Sequence, residues 1–319
     1  MIMSLVALVF GFFLLIKGAD IMVDGAASTA QRFKIPKILI GLTIVAFGTS
    51  APELAVSIQA LINNNTDMVV GNVFGSCVLN ILLILGIAAI MMPIKIKNNT
   101  VKKELPITLL ISTLLAVLML DIKINNSTVN QITRSDAIVI LLFFSVFLYY
   151  LINSLKQKNN EEKQEIDKPK YGLIKSIIFI ALGLAGVIIG SDLVVKNAAF
   201  IAATIGISER VISLTIIALG TSLPELVTTI VSANKGEQDI LVGNIIGSNI
   251  FNICVVLGIP VAIFGTITPK SFTTLDIVAL VGSSLILFLF AFTKKTITRF
   301  EGLLMFIGFL VYYVLVFFI

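Results

Sequence analysis

Apolar residues in this chain do not alternate with polar ones. They run in blocks separated by short polar connections, and each block is long enough to cross a bilayer, for which roughly 20 residues suffice. The pattern predicts ten membrane-spanning helices, at about residues 2–28, 38–62, 69–92, 104–120, 135–155, 172–203, 211–233, 240–264, 274–292 and 300–319. No basic residue precedes Lys17, so the apolar start Met1 to Ile16 reads as the first part of a spanning helix, not as a secretory leader with its positive n-region.

Charge then orients the spans. With the N-terminus taken as external, seventeen Lys and Arg fall in inner connections: Arg32, Lys34 and Lys37; Lys95, Lys97, Lys102 and Lys103; the six lysines from Lys156 to Lys175; Lys235; and Lys294, Lys295 and Arg299. Only Lys123, Arg134, Arg210 and Lys270 fall in outer ones. Cytoplasmic connections carry the excess of basic residues. Both termini are therefore predicted outside, with the Lys/Glu-rich linker 156–171 in the cytoplasm of a multi-pass cell-membrane protein.

Composition removes several classes. Of 319 residues 57% are hydrophobic and 13% charged, with a mean hydropathy of +1.06, whereas a soluble domain carries about 25% charged residues. The net charge of +5 sits in the short connections, where it sets topology, so no nucleic-acid partner is implied. Cys77 and Cys254 lie far apart within apolar segments and define no disulfide framework. The absence of histidine and tryptophan removes histidine acid–base chemistry, the commonest transition-metal sites and the haem options. No cofactor is expected, and the only polar linker is too short to be a regulatory domain.

The chain repeats itself. Gly41-Leu-Thr-Ile-Val-Ala-Phe-Gly-Thr-Ser-Ala-Pro-Glu53 returns as Ser213-Leu-Thr-Ile-Ile-Ala-Leu-Gly-Thr-Ser-Leu-Pro-Glu225, and Gly71-Asn-Val-Phe-Gly-Ser-Cys-Val-Leu-Asn80 as Gly243-Asn-Ile-Ile-Gly-Ser-Asn-Ile-Phe-Asn252. At the common offset of 172, residues 41–86 give 21 identities in 46 without a gap. Gly18-Ala-Asp20 and Gly190-Ser-Asp192 match at the same offset; Thr133-Arg-Ser-Asp136 and Thr298-Arg-Phe-Glu301 match at 165. Shared apolar composition cannot align Gly, Thr, Ser, Pro, Glu and Asn in order. Each copy, 1–155 and 172–319, holds five spans. An odd number obliges the second copy to enter the membrane upside down, the plan of many transporters whose substrate sits where interrupted helices of the two halves meet.

The motifs carry cation chemistry. Pro52 has no N–H for the carbonyl of Gly48, and its ring crowds that oxygen. Pro also disfavours helical geometry at Ala51, and Gly48 lowers the cost of leaving it. The helix is predicted to bend or open around 47–52 and to free carbonyl oxygens, which a bilayer tolerates only facing protein, water or a ligand. Thr49 and Ser50 add hydroxyls and Glu53 a carboxylate one turn away. Hard cations such as Na⁺ and Ca²⁺ take such oxygens. Gly220, Thr221, Ser222, Pro224 and Glu225 repeat the arrangement. An ionisable residue at membrane depth is expensive and points to function. Ser76 with Asn80, and Ser248 with Asn252, share one helical face each. The accompanying glycines are explained by close helix packing alone, and Asn72 and Asn244 fit either a ligand shell or interhelical hydrogen bonding. Asp20, Asp24 and Asp192 read as interface or solvated charges, with Lys196 placed to pair with Asp192.

Gly-Thr-Ser-x-Pro-Glu followed by Gly-Asn-x-x-Gly-Ser-x-x-x-Asn, in duplicate, resembles the α-repeats of the sodium/calcium exchanger family, in its short prokaryotic-type form, within the cation/calcium antiporter superfamily. The resemblance spans the chain and implies an all-α fold of ten helices in two inverted five-helix repeats, with helices 2 and 7 interrupted. It implies exchange of Na⁺ for Ca²⁺ by alternating access in a monomer, with spans 1 and 6 sliding across the rest. Glu53 and Glu225 would be the shared carboxylates. Thr49 and Thr221, with the carbonyls of Ala46 and Ala218, would add oxygens; Ser50, Ser76, Ser222 and Ser248 would complete Na⁺ sites; Asn80 and Asn252 would line the centre. Asn252 stands where the potassium-dependent branch has Asp, which leaves two acidic groups and points away from K⁺. The proton-coupled branch resembles Gly-Asn-x-x-Glu, where this chain has Gly-Asn-x-x-Gly-Ser. A Ca²⁺/H⁺ or other divalent cation/proton antiporter is the alternative, and a cation channel the alternative of another class. An intramembrane enzyme finds no nucleophile–base pair here.

Overall fold

A computed structural model describes residues 1–124, 126–156, 169–206, 218–270 and 273–318. Most of the expected cytoplasmic linker (157–168) and the first part of the seventh expected span (211–217) lie outside them. The long helices are α1 (Ile2–Phe33), α2 (Lys37–Thr49), α3 (Ala51–Ile62), α4 (Thr66–Met91), α5 (Glu104–Leu118), α6 (Arg134–Lys156), α7 (Leu173–Thr204), α8 (Leu223–Asn234, after a short turn Ala218–Gly220), α9 (Gln238–Phe264), α10 (Thr274–Lys294) and α11 (Arg299–Phe318). Strands are confined to a two-residue antiparallel pair, β1 (Ile94–Lys95) with β2 (Thr296–Ile297), among the described residues.

Seven described helices are long and apolar enough to cross a membrane, and eight when α2 and α3, bent by 42° at their junction, count as one span. Their apolar side chains point outward, Val6 and Val146 each being 65% exposed, while Glu53, Asn80, Glu225 and Asn252 are fully buried. This reversal of the soluble pattern is what a hydrocarbon solvent selects. Helix ends depart from the expected bounds for local reasons. α1 continues to Phe33 until Lys34 turns left-handed at φ 53°. α4 starts at Thr66 because the Asn65 side chain accepts a hydrogen bond from the Met68 N–H, an N-cap.

The chain clusters into two compact units, each drawing on both copies of the repeat: Met1–Pro52 with Lys158–Asn244, and Glu53–Gln157 with Ile245–Ile319. The first unit is built on α1 and α7, packed antiparallel along their length. Gly11 meets Gly190, Gly18 meets Gly183 and Gly25 meets Ser176, so the contacts recur every seven residues on both helices. A Cβ on Gly18 would stand 2.8 Å from the Gly183 carbonyl oxygen, and one on Gly183 2.6 Å from that of Gly18. Small residues that let backbones touch are how helices associate where lipid removes the hydrophobic drive. Met22, Val23, Ala26 and Ala30 of α1 then join Ile40, Val45 and Ile240 in a buried cluster. In the C-terminal half of α1, Lys235 lies 2.8 Å from Asp20 and 2.5 Å from Asp24, and Lys170 lies 2.8 Å from Asp24. The bond to Asp24 holds the Lys170 ammonium above its ordinary pKa. Asp192 pairs with Lys196 as expected, at 2.8 Å.

In the second unit the same polar chemistry closes the helix ends of both copies. Thr133 donates its N–H and hydroxyl to Asp136, each at 2.7 Å, and Thr298 does so to Glu301 at 2.7 and 2.8 Å, the capping arrangement behind the matched tetrapeptides. Ile132 bridges to Ile267. Ser112 and Ser284, equivalent under the repeat, hydrogen-bond at 3.0 Å between α5 and α10, and Tyr150 donates to the buried Glu104.

Candidate cation site

The expected interruption falls at Ser50, inside the predicted window 47–52. Ser50 has φ −87° and ψ 5°, and its counterpart Ser222 has φ −91° and ψ 8°. Both sit in the sparsely allowed bridge region between helical and extended backbone, so the two copies break the helix in the same way. Each break puts a glutamate in the first turn of the helix that follows, Glu53 in α3 and Glu225 in α8. There the first-turn backbone N–H groups and the positive end of the helix dipole lie beside the carboxylate. Each preceding segment ends at the break with its carbonyl end, the polarity that half-helices offer to cations.

In the first unit the two copies of the motif meet. The Ser50 hydroxyl donates to Glu225 Oε1 at 2.9 Å, both residues being fully buried. The Thr49 hydroxyl is shared between Asn244 Oδ1 at 3.1 Å and the Ala46 carbonyl at 3.3 Å, and the Ser50 N–H also donates to Ala46. A hydroxyl that gives its proton to a neighbour presents its lone pairs elsewhere, the orientation a cation ligand needs. Ser222 is buried and Thr221 half-buried, while of Ala218 only the backbone is described. α7 supports both breaks: Ser191 donates to the Gly220 carbonyl at 2.9 Å. A Cβ on Gly48 would stand 2.2 Å from a Leu184 methyl, and one on Gly220 2.3 Å from a Val195 methyl.

In the second unit Glu53 is fully buried, and Asn72 spends its amide on packing, donating to the Glu53 carbonyl and to Ser57 Oγ, each at 3.0 Å. Of the two readings open for Asn72, interhelical hydrogen bonding is the one observed. Ser76, Asn80, Ser248 and Asn252 are all buried. Asn80 donates to Asn249 Oδ1 at 3.0 Å, and Asn249 donates to the Cys77 carbonyl at 3.2 Å. Both polar atoms of Asn252, and Oδ1 of Asn80, are buried without a hydrogen-bond partner among the described residues. Each asparagine lies in a π-helical stretch, Leu79–Leu85 in α4 and Asn252–Leu257 in α9. Such widened turns recur at functional positions. No described group of three or more acidic, Cys or His residues gathers at one point, so a cation held here draws on neutral oxygens beside carboxylate.

A sequence profile of the sodium/calcium exchanger protein family matches residues 3–153 and 175–318, nearly the whole chain. The chain belongs to the sodium/calcium exchanger family. The sodium/calcium exchanger MaX1 of Methanosarcina acetivorans is 34% identical over 349 residues, covering 98% of each chain. The inner membrane protein YrbG of Escherichia coli is 37% identical over 282 residues, 86% of this chain and 84% of that one. The fold is shared with the sodium-calcium exchanger NCX_Mj, solved after soaking with Na⁺ and Sr²⁺, at a TM-score of 0.84 and 31% identity over 97% of both chains. An exchanger of this family is a membrane antiporter of Ca²⁺ and a counter-cation.

One buried polar group of the second unit, Asn249, escaped sequence reasoning. Asn249 stands opposite Cys77 in the repeat alignment, and a position where the copies disagree carries no repeat signal. Its bond with Asn80 is visible only in three dimensions.

Proposed function

We propose that the protein exchanges Na⁺ for Ca²⁺ across the cell membrane by alternating access, at one midplane site centred on Glu53 and Glu225. The observation that carries the reading is the Ser50–Glu225 hydrogen bond at 2.9 Å, which ties the interruption of the first copy to the carboxylate of the second. Glu53 follows Ser50 by three residues, a chain span of roughly 10 Å at most, so covalent connection keeps it in that neighbourhood. Two carboxylates make a formal −2 that one Ca²⁺ neutralises. Thr49, Ser50, Thr221, Ser222, Ser76 and Ser248, the carbonyls of Ala46 and Ala218, and the amide oxygens of Asn80 and Asn252 supply neutral ligands, enough for the 6–8 oxygens that Ca²⁺ takes. Na⁺ uses the same oxygens and displaces Ca²⁺ by occupying them.

The fold reading attached to this is ten spans in two inverted repeats, 1–155 and 172–319, joined by the cytoplasmic linker 156–171, with both termini outside and the monomer as the working unit. The antiparallel packing of α1 against α7, the first helices of the two copies, supports the inversion. Calcium titration of the purified protein checks the shared site. Na⁺ is expected to raise the apparent Kd for Ca²⁺ steeply and without a plateau, as competition requires, with equimolar K⁺ inert. A Ca²⁺ affinity unmoved by Na⁺ would refute a shared site.

A further inference from the structure

The helix that carries Glu225 carries something else. Thr228, Thr229 and Ser232 follow it at the three-, four- and seven-residue spacing that puts all four on one face of α8. All three are fully buried, and among the described residues none of their hydroxyls has a hydrogen-bond partner. That is unusual for helical hydroxyls, which ordinarily bond to the carbonyl one turn back. This chain follows the habit elsewhere: Thr29 bonds to Gly25 at 2.8 Å, Thr43 to Leu39 at 2.6 Å and Thr108 to Glu104 at 2.9 Å. Buried polar groups are nearly always satisfied, so three in a row on one helix face call for a ligand.

The stripe is also one-sided. The equivalents of Thr228, Thr229 and Ser232 in the first copy are Val56, Ser57 and Ala60. Two of these are apolar, and Ser57 is taken by Asn72 at 3.0 Å. Symmetry of the repeat therefore does not account for the hydroxyls. They extend the polar line from Glu225 by about 10 Å, at 1.5 Å per helical residue, toward the end of α8 where Lys235 lies. The Lys235 ammonium is itself held by Asp20 and Asp24, at 2.8 and 2.5 Å.

We propose that Thr228, Thr229 and Ser232 form a further cation subsite, a transit ladder by which a partly hydrated monovalent cation passes between Glu225 and the Lys235 end of α8. Oxygen donors one turn apart replace water ligands a few at a time. With a single carboxylate at one end, the ladder suits Na⁺ and is too weakly charged to hold Ca²⁺, which demands more carboxylate oxygen. The inference rests on the exchange reading above, which places the Lys235 end in the cytoplasm.

The test is Na⁺-dependent Ca²⁺ flux in membrane vesicles of both orientations, for the wild type, the T228V/T229V double variant and S232A. Valine matches threonine in shape, so packing is kept. The half-saturating Na⁺ concentration on the cytoplasmic face is expected to rise about tenfold in the double variant and a few-fold in S232A. The value on the external face should stay put, and the melting temperature should hold or rise, since a buried hydroxyl without a partner has been removed. Unchanged values on both faces, an equal rise on both, or a melting temperature lowered by several degrees would each overturn the ladder. The converse variant V56T/A60S should lower the external value. A wild type without Na⁺-dependent flux would overturn the exchange reading itself, and the ladder with it.

Discussion

Glu225→Gln is expected to bring Na⁺-driven Ca²⁺ uptake down to the leak of empty vesicles. Glutamine keeps the shape of the side chain and can still accept the Ser50 hydroxyl now bonded to Glu225 Oε1 at 2.9 Å, so the break in the helix is preserved and only charge is removed. In the proposed site, what would remain for Ca²⁺ is a single carboxylate in a fully buried setting. Deleting one partner of a buried charge pair costs about 3–5 kcal/mol, which is roughly two to four orders of magnitude in affinity. Glu53→Gln should behave alike, because Glu53 holds the equivalent place in the first turn of α3. Calcium titration calorimetry on both variants, beside a melting curve showing that each is folded, checks the claim. A variant that bound Ca²⁺ within a few-fold of the wild type would remove its carboxylate from the site.

The second large effect comes from packing and not from charge. Gly183→Val is expected to break the α1–α7 pair. A Cβ at Gly183 would meet the Gly18 carbonyl oxygen and Met22 Cβ at 2.6 Å and the Met22 nitrogen at 2.7 Å. Two of these are backbone atoms, which no rotamer change can move. The helices must separate, and the seven-residue rhythm of contacts at Gly11, Gly18 and Gly25 separates with them. Overpacking a core costs about 1–3 kcal/mol, and a clash against backbone belongs at the upper end or above. The melting temperature in detergent should fall by many degrees, with loss of monodisperse protein. Gly282→Val is the control, since no atom of the described residues lies within 4 Å of a Cβ there, and it should melt like the wild type. Equal melting of both variants would contradict the close approach of α1 and α7.

Much of the candidate site is legible in the sequence because membranes make polarity costly. Glu53 and Glu225 stand out in apolar blocks, and Gly48 with Pro52 localises the break to within two residues of Ser50. The repeat marks which neighbours matter. Other features left no such trace. The π-helical stretches at Leu79–Leu85 and Asn252–Leu257 have no residue signature, because the extra residue per turn is imposed by packing. The Ser50–Glu225 bond joins residues 175 apart, and periodicity within one helix cannot pair them. The glycine rhythm was present as Gly11, Gly18 and Gly25 against Ser176, Gly183 and Gly190, yet scattered glycines in membrane helices speak only of packing until their partners are known. Thr228, Thr229 and Ser232 read as ordinary helix residues; only the missing partners of their hydroxyls set them apart.

Coupled flux tests the central claim most directly. Vesicles containing the wild-type protein, loaded with Na⁺ and diluted into Na⁺-free buffer, should accumulate Ca²⁺ against its gradient. The accumulation should collapse when Na⁺ is equalised across the membrane and should not respond to a pH gradient. Ca²⁺ uptake that ignored the Na⁺ gradient and followed the pH gradient would contradict Na⁺/Ca²⁺ exchange.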